Sequence, residues 1–239
     1  MIKKIKQLLS ENAWFWLKRR YRSPLKVCLG SFRRLLPISS QFGFDRGLPI
    51  DRYYIEAFLK ANSKDIRGSV LEVAEAIYTK RFGSESIEEI HVLHATRNNP
   101  QAKIIGNLAT GEGIPVSAFD CMILTQTLHV IYDIEKAVAN SYAALKPGGV
   151  LLATLPGISQ ISRYDMDHWG DYWRLTDASA NRLFEKYFGA SNIRVQTHGN
   201  VLTACAFLHG LAVQELKPRE LAYNDPDYQL LITIHAVKK

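Results

Sequence analysis

The chain has 239 residues, 47% of them apolar, enough for one full α/β core and an appendage. Three scattered cysteines (Cys28, Cys121, Cys205) form no CxxC pair and no even framework, which excludes a disulfide scaffold and fits a reducing cytoplasm. The net charge of +7 is uneven: residues 1–40 carry ten Lys or Arg against one acid, so the arm holds +9 and the rest −2. The body therefore has no excess positive charge with which to attract a nucleic acid.

Met1–Arg22 alternates basic residues with Ile2, Ile5, Leu8, Leu9, Trp14, Phe15, Trp16 and Leu17. A basic helix with tryptophans on one side suits an anionic membrane surface; the competing reading is an exposed helix that packs its aromatics on its own domain or on a second subunit. Glu11 and Lys18 interrupt any secretory apolar region, and the longest uncharged apolar run, near Val201–Val213, is too short to span a bilayer. Ser23–Gln41, with Pro24, Gly30 and Pro37, reads as a connector, which divides the chain into a basic helical arm and connector (1–40) and a body (41–239).

In the body, Gly47 and Pro49 make a turn, and Asp51 is placed to cap a helix carrying Tyr54, Ile55, Phe58 and Leu59. Strands are expected at 68–74, 90–95, 104–105, 119–125, 150–155, 192–197 and 230–237, the last of them antiparallel. Between the fourth and fifth, Ile134, Ala137, Val138, Ser141, Tyr142 and Leu145 share one helix face, with Asp133 at the N-cap position. Lys146-Pro147-Gly148-Gly149 stops that helix. Thr176 caps a helix whose Ala180, Leu183, Phe184, Tyr187 and Phe188 share a face, and Asn200–Leu216 reads as a further, buried helix. Strands alternating with helices predict an α/β, Rossmann-like, doubly wound, mostly parallel seven-stranded sheet with helices on both faces. Ligands of such sheets bind beyond the carboxyl ends of the strands, at the switch point of strand order.

Phe119-Asp120, Thr125 and the run Leu145-Lys146-Pro147-Gly148-Gly149-Val150-Leu151-Leu152-Ala153-Thr154-Leu155-Pro156 resemble the fourth and fifth strands of class I S-adenosylmethionine-dependent methyltransferases, the type-11 group in particular. The resemblance covers roughly Asp45–Lys239 and implies S-adenosyl-L-methionine as cofactor. Members of that family show an acid and then three alternating glycines after the first strand; here Glu72 is followed by Ala74, Ala76 and Tyr78 at those positions. Tyr78 blocks the usual path unless its ring points away. The acid that ends the family's second strand, which accepts the ribose hydroxyls, is replaced at Thr96 or Arg97. Asn107 and Leu108 match the adenine-binding segment, and Thr125 and Gln126 match the end of the fourth strand. The resemblance puts the first helix of the body over the cofactor pocket, where Arg46, Arg52 and Tyr53 would meet a carboxylate or else lie on the surface.

Methyl transfer to oxygen needs a base with a pKa near neutral, and His129, after the fourth strand, is the first candidate, with a satisfied structural histidine as the competing reading. The loop Tyr164–Thr176 crowds Asp165, Asp167, His168, Trp169, Asp171, Trp173 and Arg174. Its DYWRLT run resembles type-11 methyltransferases of sugar and cell-surface polysaccharide pathways. His168 and Trp169 are read as substrate contacts, with His168 a second catalytic candidate. Trp173 and Arg174 either contact substrate or anchor the loop, Arg174 through Asp120 or Glu72. No metal site is expected. Two functions follow. One is O-methylation of a small-molecule or glycan-linked substrate, by a cytoplasmic protein peripheral to the inner membrane surface through residues 1–40. The other is a catalytically inactive methyltransferase-like module partnering a membrane-associated glycan-synthesis complex.

Overall fold

A computed structural model describes residues 10, 11, 13, 14 and 29–239. The chain divides into two compact units, Met1–Leu36 and Pro37–Lys239. The expected basic helix of the arm lies outside the described residues except at those first four positions.

The second unit is built on a seven-stranded sheet: β1 (Gly68–Val73), β2 (Ile87–His94), β3 (Ile104–Ile105), β4 (Phe119–Thr125), β5 (Leu145–Pro156), β6 (Ile193–His198) and β7 (Leu231–Val237). The order is β3-β2-β1-β4-β5-β7-β6; the pairs from β3 to β5 are parallel, and β7 runs antiparallel to both its neighbours. Strand order reverses between β1 and β4, which opens a crevice at their carboxyl ends.

Helices cover both faces, so the central strands are apolar on both sides and alternate residues feed two cores. Leu71, Met122, Leu124 and Leu151 pack with α3 (Ile134–Ala144) and α5 (Asp177–Phe188). Val70, Cys121, Ile123 and Leu152 pack with α1 (Ile50–Ala61) and α6 (Val201–Leu208). Phe119 shares a face with Met122, three residues on, because the β4–β5 register shifts between Phe119 and Cys121. Of the short helices, α2 (Ile77–Phe82) packs on the α1 side of the sheet, α4 (Arg163–His168) borders the crevice, and α7 (Pro218–Ala222) follows α6.

Several local expectations are corrected. Asp51 lies inside the first turn of α1, not at its cap: Pro49 occupies that position, and the buried Asp51 carboxylate accepts from the Arg52 N–H at 2.8 Å. Asp133 sits at the N-cap of α3 but makes no capping bond; its carboxylate pairs with Lys136 at 3.1 Å. The helix expected through Leu216 ends at Leu208, where Gly210 takes a left-handed φ of 70°. β2 begins three residues before the expected start, at Ile87, and β5 takes in the whole Lys-Pro-Gly-Gly run. Thr176 caps α5 as read, in a reciprocal box with Ser179.

Candidate functional site

Two recesses lie at the carboxyl edge of the sheet. The larger, about 530 Å³, opens over the ends of β1, β2 and β4 and the loop after β3. Val73, Ala74, Leu93, His94, Asn107, Leu108, Thr125 and Gln126 form its wall, and Trp169 and Tyr172 its outer side. Ala74 holds a φ of 67°, a left-handed conformation that glycine adopts more easily. With only a methyl group there, the backbone still makes the turn and leaves the floor open. The chain then bends so that Glu72 caps α2: its carboxylate accepts from the Tyr78 N–H (3.0 Å), the Thr79 N–H (2.8 Å) and the Thr79 hydroxyl (2.7 Å). Burial pushes the Glu72 pKa up, against these bonds.

Glu72 is thus occupied in holding the loop and is absent from the recess wall, as is Ala76, buried just before α2. Tyr78 does not obstruct the recess. Its ring packs on Phe82 at 6.2 Å in the core on the α1 side of the sheet, and its phenol accepts from Arg52 Nη1 at 2.9 Å. At the end of β2 the residue that reaches the recess is His94, not Thr96. The Thr96 N–H donates to His94 Nδ1 at 3.1 Å, and the ring meets Trp169 edge-on at 5.7 Å. His94 was missed because the strand ends one residue before the point assumed from sequence; its place as the last residue of β2 was the available signal.

The Asn107 side-chain oxygen accepts from the Ala109 N–H at 2.8 Å, which shapes the turn after β3. The next helix fixes Leu108, whose carbonyl accepts from Asn140 at 2.7 Å. Gln126, at the end of β4, also has a left-handed φ, 47°; its N–H donates to the Thr154 carbonyl and hydroxyl, both at 3.1 Å. Its side-chain Oε1 is buried without a hydrogen-bond partner.

The smaller recess, about 380 Å³, lies beside the first and shares Gln126, Tyr164 and Asp165 with it. Phe42, Arg52, His129, Asp171 and Arg174 also line it. Phe42 is a third residue with a left-handed φ, 56°. Of the four non-glycine residues in that conformation among the described residues, three therefore border the recesses, and such strain persists where the surrounding fold over-determines it.

Asp171 organises this recess. Its fully buried carboxylate accepts two bonds from Arg174, at 2.5 and 2.8 Å, and one from the Ser162 N–H at 3.0 Å. Burial opposes its charge, but the Arg174 bond and the Ser162 N–H hold its pKa below the usual carboxylate range. Arg174 also donates to the carbonyls of Gln160 and Trp173. The loop-anchoring reading of Arg174 thus fits this geometry with Asp171 as the acid. Asp120 is taken by Lys146 at 2.6 Å and the Ser69 N–H at 2.8 Å, and Glu72 by the start of α2. Trp173 is outside both recesses, its indole N–H shared between the Ile131 and Tyr132 carbonyls at 3.1 and 3.2 Å.

His129 Nε2 lies 3.8 Å from Asp171 Oδ1, beyond hydrogen-bonding distance, and Nδ1 is buried without a partner. Burial pulls its pKa down to about 4, Asp171 only partly opposing, so the ring is neutral near pH 7.

Three expected substrate residues lie elsewhere. Arg46 is bound to Glu215, Tyr53 packs edge-on against Tyr54, and His168 stacks on Tyr164 with Nδ1 against the Tyr164 carbonyl at 2.7 Å; none lines either recess. Trp169 lines the larger recess rather than the smaller. Among the described residues there is no group of three or more His, Cys, Asp and Glu able to hold a metal, and no helix long and apolar enough to cross a membrane.

The strand order and the ligand-sized recess at its switch point define a doubly wound, Rossmann-like α/β fold with a binding crevice. The methyltransferase-domain family matches residues 35–203, and the chain belongs to that family, the class I S-adenosylmethionine-dependent methyltransferases. No curated protein matches the sequence. Among solved structures, a SAM-dependent methyltransferase from Thermotoga maritima is similar over 82% of this chain and 95% of its own, at 15% identity and a TM-score of 0.52. A SAM-dependent methyltransferase from Archaeoglobus fulgidus is similar over 78% and 94%, at 10% identity and a TM-score of 0.50. Phosphoethanolamine N-methyltransferase 2 from Haemonchus contortus, in complex with S-adenosyl-L-methionine, is similar over 78% of this chain and 52% of its own, at 15% identity and a TM-score of 0.51. At these identities the likeness is one of fold.

S-adenosylmethionine is the cofactor of this family, and the larger recess fits it in size and in the open turn after β1. Pockets for ligands of this size run from about 300 to 1,000 Å³, and the left-handed Ala74 keeps bulk out of the β1 turn. The departure is at His94, which offers an imidazole where a carboxylate is usual.

Proposed function

We propose that this protein transfers a methyl group from S-adenosylmethionine to a hydroxyl of a small or glycan-linked acceptor. The supporting observation is the pair of adjoining recesses that share Gln126, Tyr164 and Asp165: a donor bound in one and an acceptor in the other would meet at those three residues. Ala74, His94, Asn107, Leu108, Thr125 and Gln126 would hold the donor, with Trp169 covering it. When bound, the donor supplies an electrophilic methyl group on a sulfonium whose sulfide leaves without protonation, so alignment is the main demand on the protein.

The remaining chemistry belongs to the acceptor recess. The acceptor hydroxyl would give its proton to His129, which is in the base form at pH 7; burial, which lowers its pKa to about 4, makes it a weaker base than the near-neutral one expected from the sequence. Asp171 and Arg174 tie the α4 loop to the wall beside that imidazole, which keeps water out and orients the acceptor. His168 has no part in this arrangement. A cytoplasmic place in polysaccharide synthesis is the context suggested by the DYWRLT run, with residues 1–40 as a separate arm against an anionic membrane surface; the +9 charge of that arm supports the latter.

Calorimetric titration of the full chain with S-adenosylmethionine and S-adenosylhomocysteine tests the reading. One-to-one binding is expected. No heat and no thermal shift at millimolar ligand would refute it and favour the inactive binding module.

A further inference from the structure

Arg52 has a position unlike that of the other arginine deep in the acceptor recess. Arg174 spends its guanidinium on Asp171. The half-buried Arg52 makes one side-chain hydrogen bond, to the Tyr78 phenol, and among the described residues no carboxylate oxygen lies within 4.0 Å of it. A guanidinium has five N–H donors, so four remain uncommitted on a side chain that lines the cavity. Asp51, next to it, also lines the recess and attracts the guanidinium at longer range, but its carboxylate bonds the Arg52 backbone N–H and not the guanidinium. The Phe44 ring centroid lies 5.9 Å from the guanidinium carbon, under its face.

The charged groups lining this recess are Asp51, Asp165, Asp171, Arg52, Arg163 and Arg174. Asp171 and Arg174 cancel each other. Arg163 is exposed and only 3.8 Å from Asp167, a weak tie. Asp165 lies at the edge shared with the donor recess, away from the acceptor's far end. The Arg52 side of the recess therefore presents an unfilled planar donor array, the geometry that takes a carboxylate or a phosphate with two parallel bonds.

We propose that the acceptor carries an anionic group, a carboxylate or a phosphate ester, which docks on Arg52 and directs the acceptor's hydroxyl toward the junction at Gln126 and His129. This rests on the reading that the smaller recess takes the acceptor. It narrows the substrate class to acidic or phosphorylated hydroxyl compounds of sugar size.

The full chain, with saturating S-adenosylhomocysteine, is titrated with glucuronate, glucose 1-phosphate and glucose. At least one anionic sugar should bind about tenfold or more tightly than glucose, as expected for charge-assisted bonds. Which anion binds tells carboxylate from phosphate. Arg52→Gln should remove the preference and Arg52→Lys should keep part of it. Equal binding of all three sugars, or no binding of either anion, overturns the proposal. S-adenosylhomocysteine and methylthioadenosine, which lacks the amino-acid end, are titrated into Arg52→Gln as well. If the first weakens tenfold and the second does not, Arg52 serves the donor's carboxylate and the proposal falls. Should Arg52→Gln not fold, the unmodified chain and Arg52→Lys still decide. An anion preference in a chain that binds no S-adenosylhomocysteine would refute the methyltransferase reading while leaving this subsite standing.

Discussion

The clamp between Asp171 and Arg174 offers the sharpest test of how the recess is held. Asp171→Ala removes three hydrogen bonds to a carboxylate whose side chain has no exposure and leaves the Arg174 guanidinium, 27% exposed, without its acid. Breaking one side of a buried pair costs about 3–5 kcal/mol, because the remaining charge is uncompensated. For a domain of this size about 1 kcal/mol moves the melting temperature by roughly 2–4 °C, so Asp171→Ala should melt about 6–20 °C lower. Arg174→Ala should cost less, since a buried carboxylate can take up a proton. The double variant should be less destabilised than the sum of the singles by about 1 kcal/mol or more. The assay is thermal and denaturant unfolding of the four proteins of the cycle. A loss under about 1 kcal/mol in Asp171→Ala, or additivity of the two singles, would refute the argument that this pair carries the loop.

Other expectations follow from single side chains. His129, with its pKa pulled by burial to about 4, should leave kcat/KM flat from about pH 5 to 8 and break near 4; a break between 6 and 7 would mean the base is elsewhere. The same shift has a stability sign. Between about pH 4 and 6.5 the unfolded chain carries a proton on His129 that the folded chain lacks, so stability rises with pH through that window and is lost as pH falls. His129→Gln should flatten that slope, measured as melting temperature against pH. Tyr78→Gly should not tighten S-adenosylhomocysteine binding, because the ring already points away from the recess; it should cost about 2–3 kcal/mol in lost packing. Tighter binding in that variant would restore the idea of a blocked site.

Much of the architecture could be read from local pattern. Apolar runs such as Phe119–Thr125 and Val150–Leu155 declare strands buried on both faces, and the spacing from Ile134 to Leu145 declares the helix between them, because burial repeats with the period of the backbone. The Thr176 cap was legible for the same reason: its partners lie within three residues. Ends of elements were less so. Asp51 looked like a cap and is not one, because helix starts depend on which backbone N–H groups the surroundings leave unpaired.

The site divides along the same line. Positions on the loops that leave the sheet's carboxyl edge, such as Ala74, Asn107, Leu108, Thr125 and Gln126, were expected at the recess and do line it, because the alternation of strands and helices already places those loops at one edge. Side chains that meet across long separations were decided only by the tertiary fold. Arg46 met Glu215, 169 residues away, and so left the candidate list. Tyr78 turned to Arg52 and Phe82 and so cleared the recess. His94 rather than Thr96 lined the recess because β2 stopped one residue earlier than the sequence implied. A chain's period settles which face a residue lies on; which partner that face meets depends on the packing of elements far apart in sequence, and no local spacing records it.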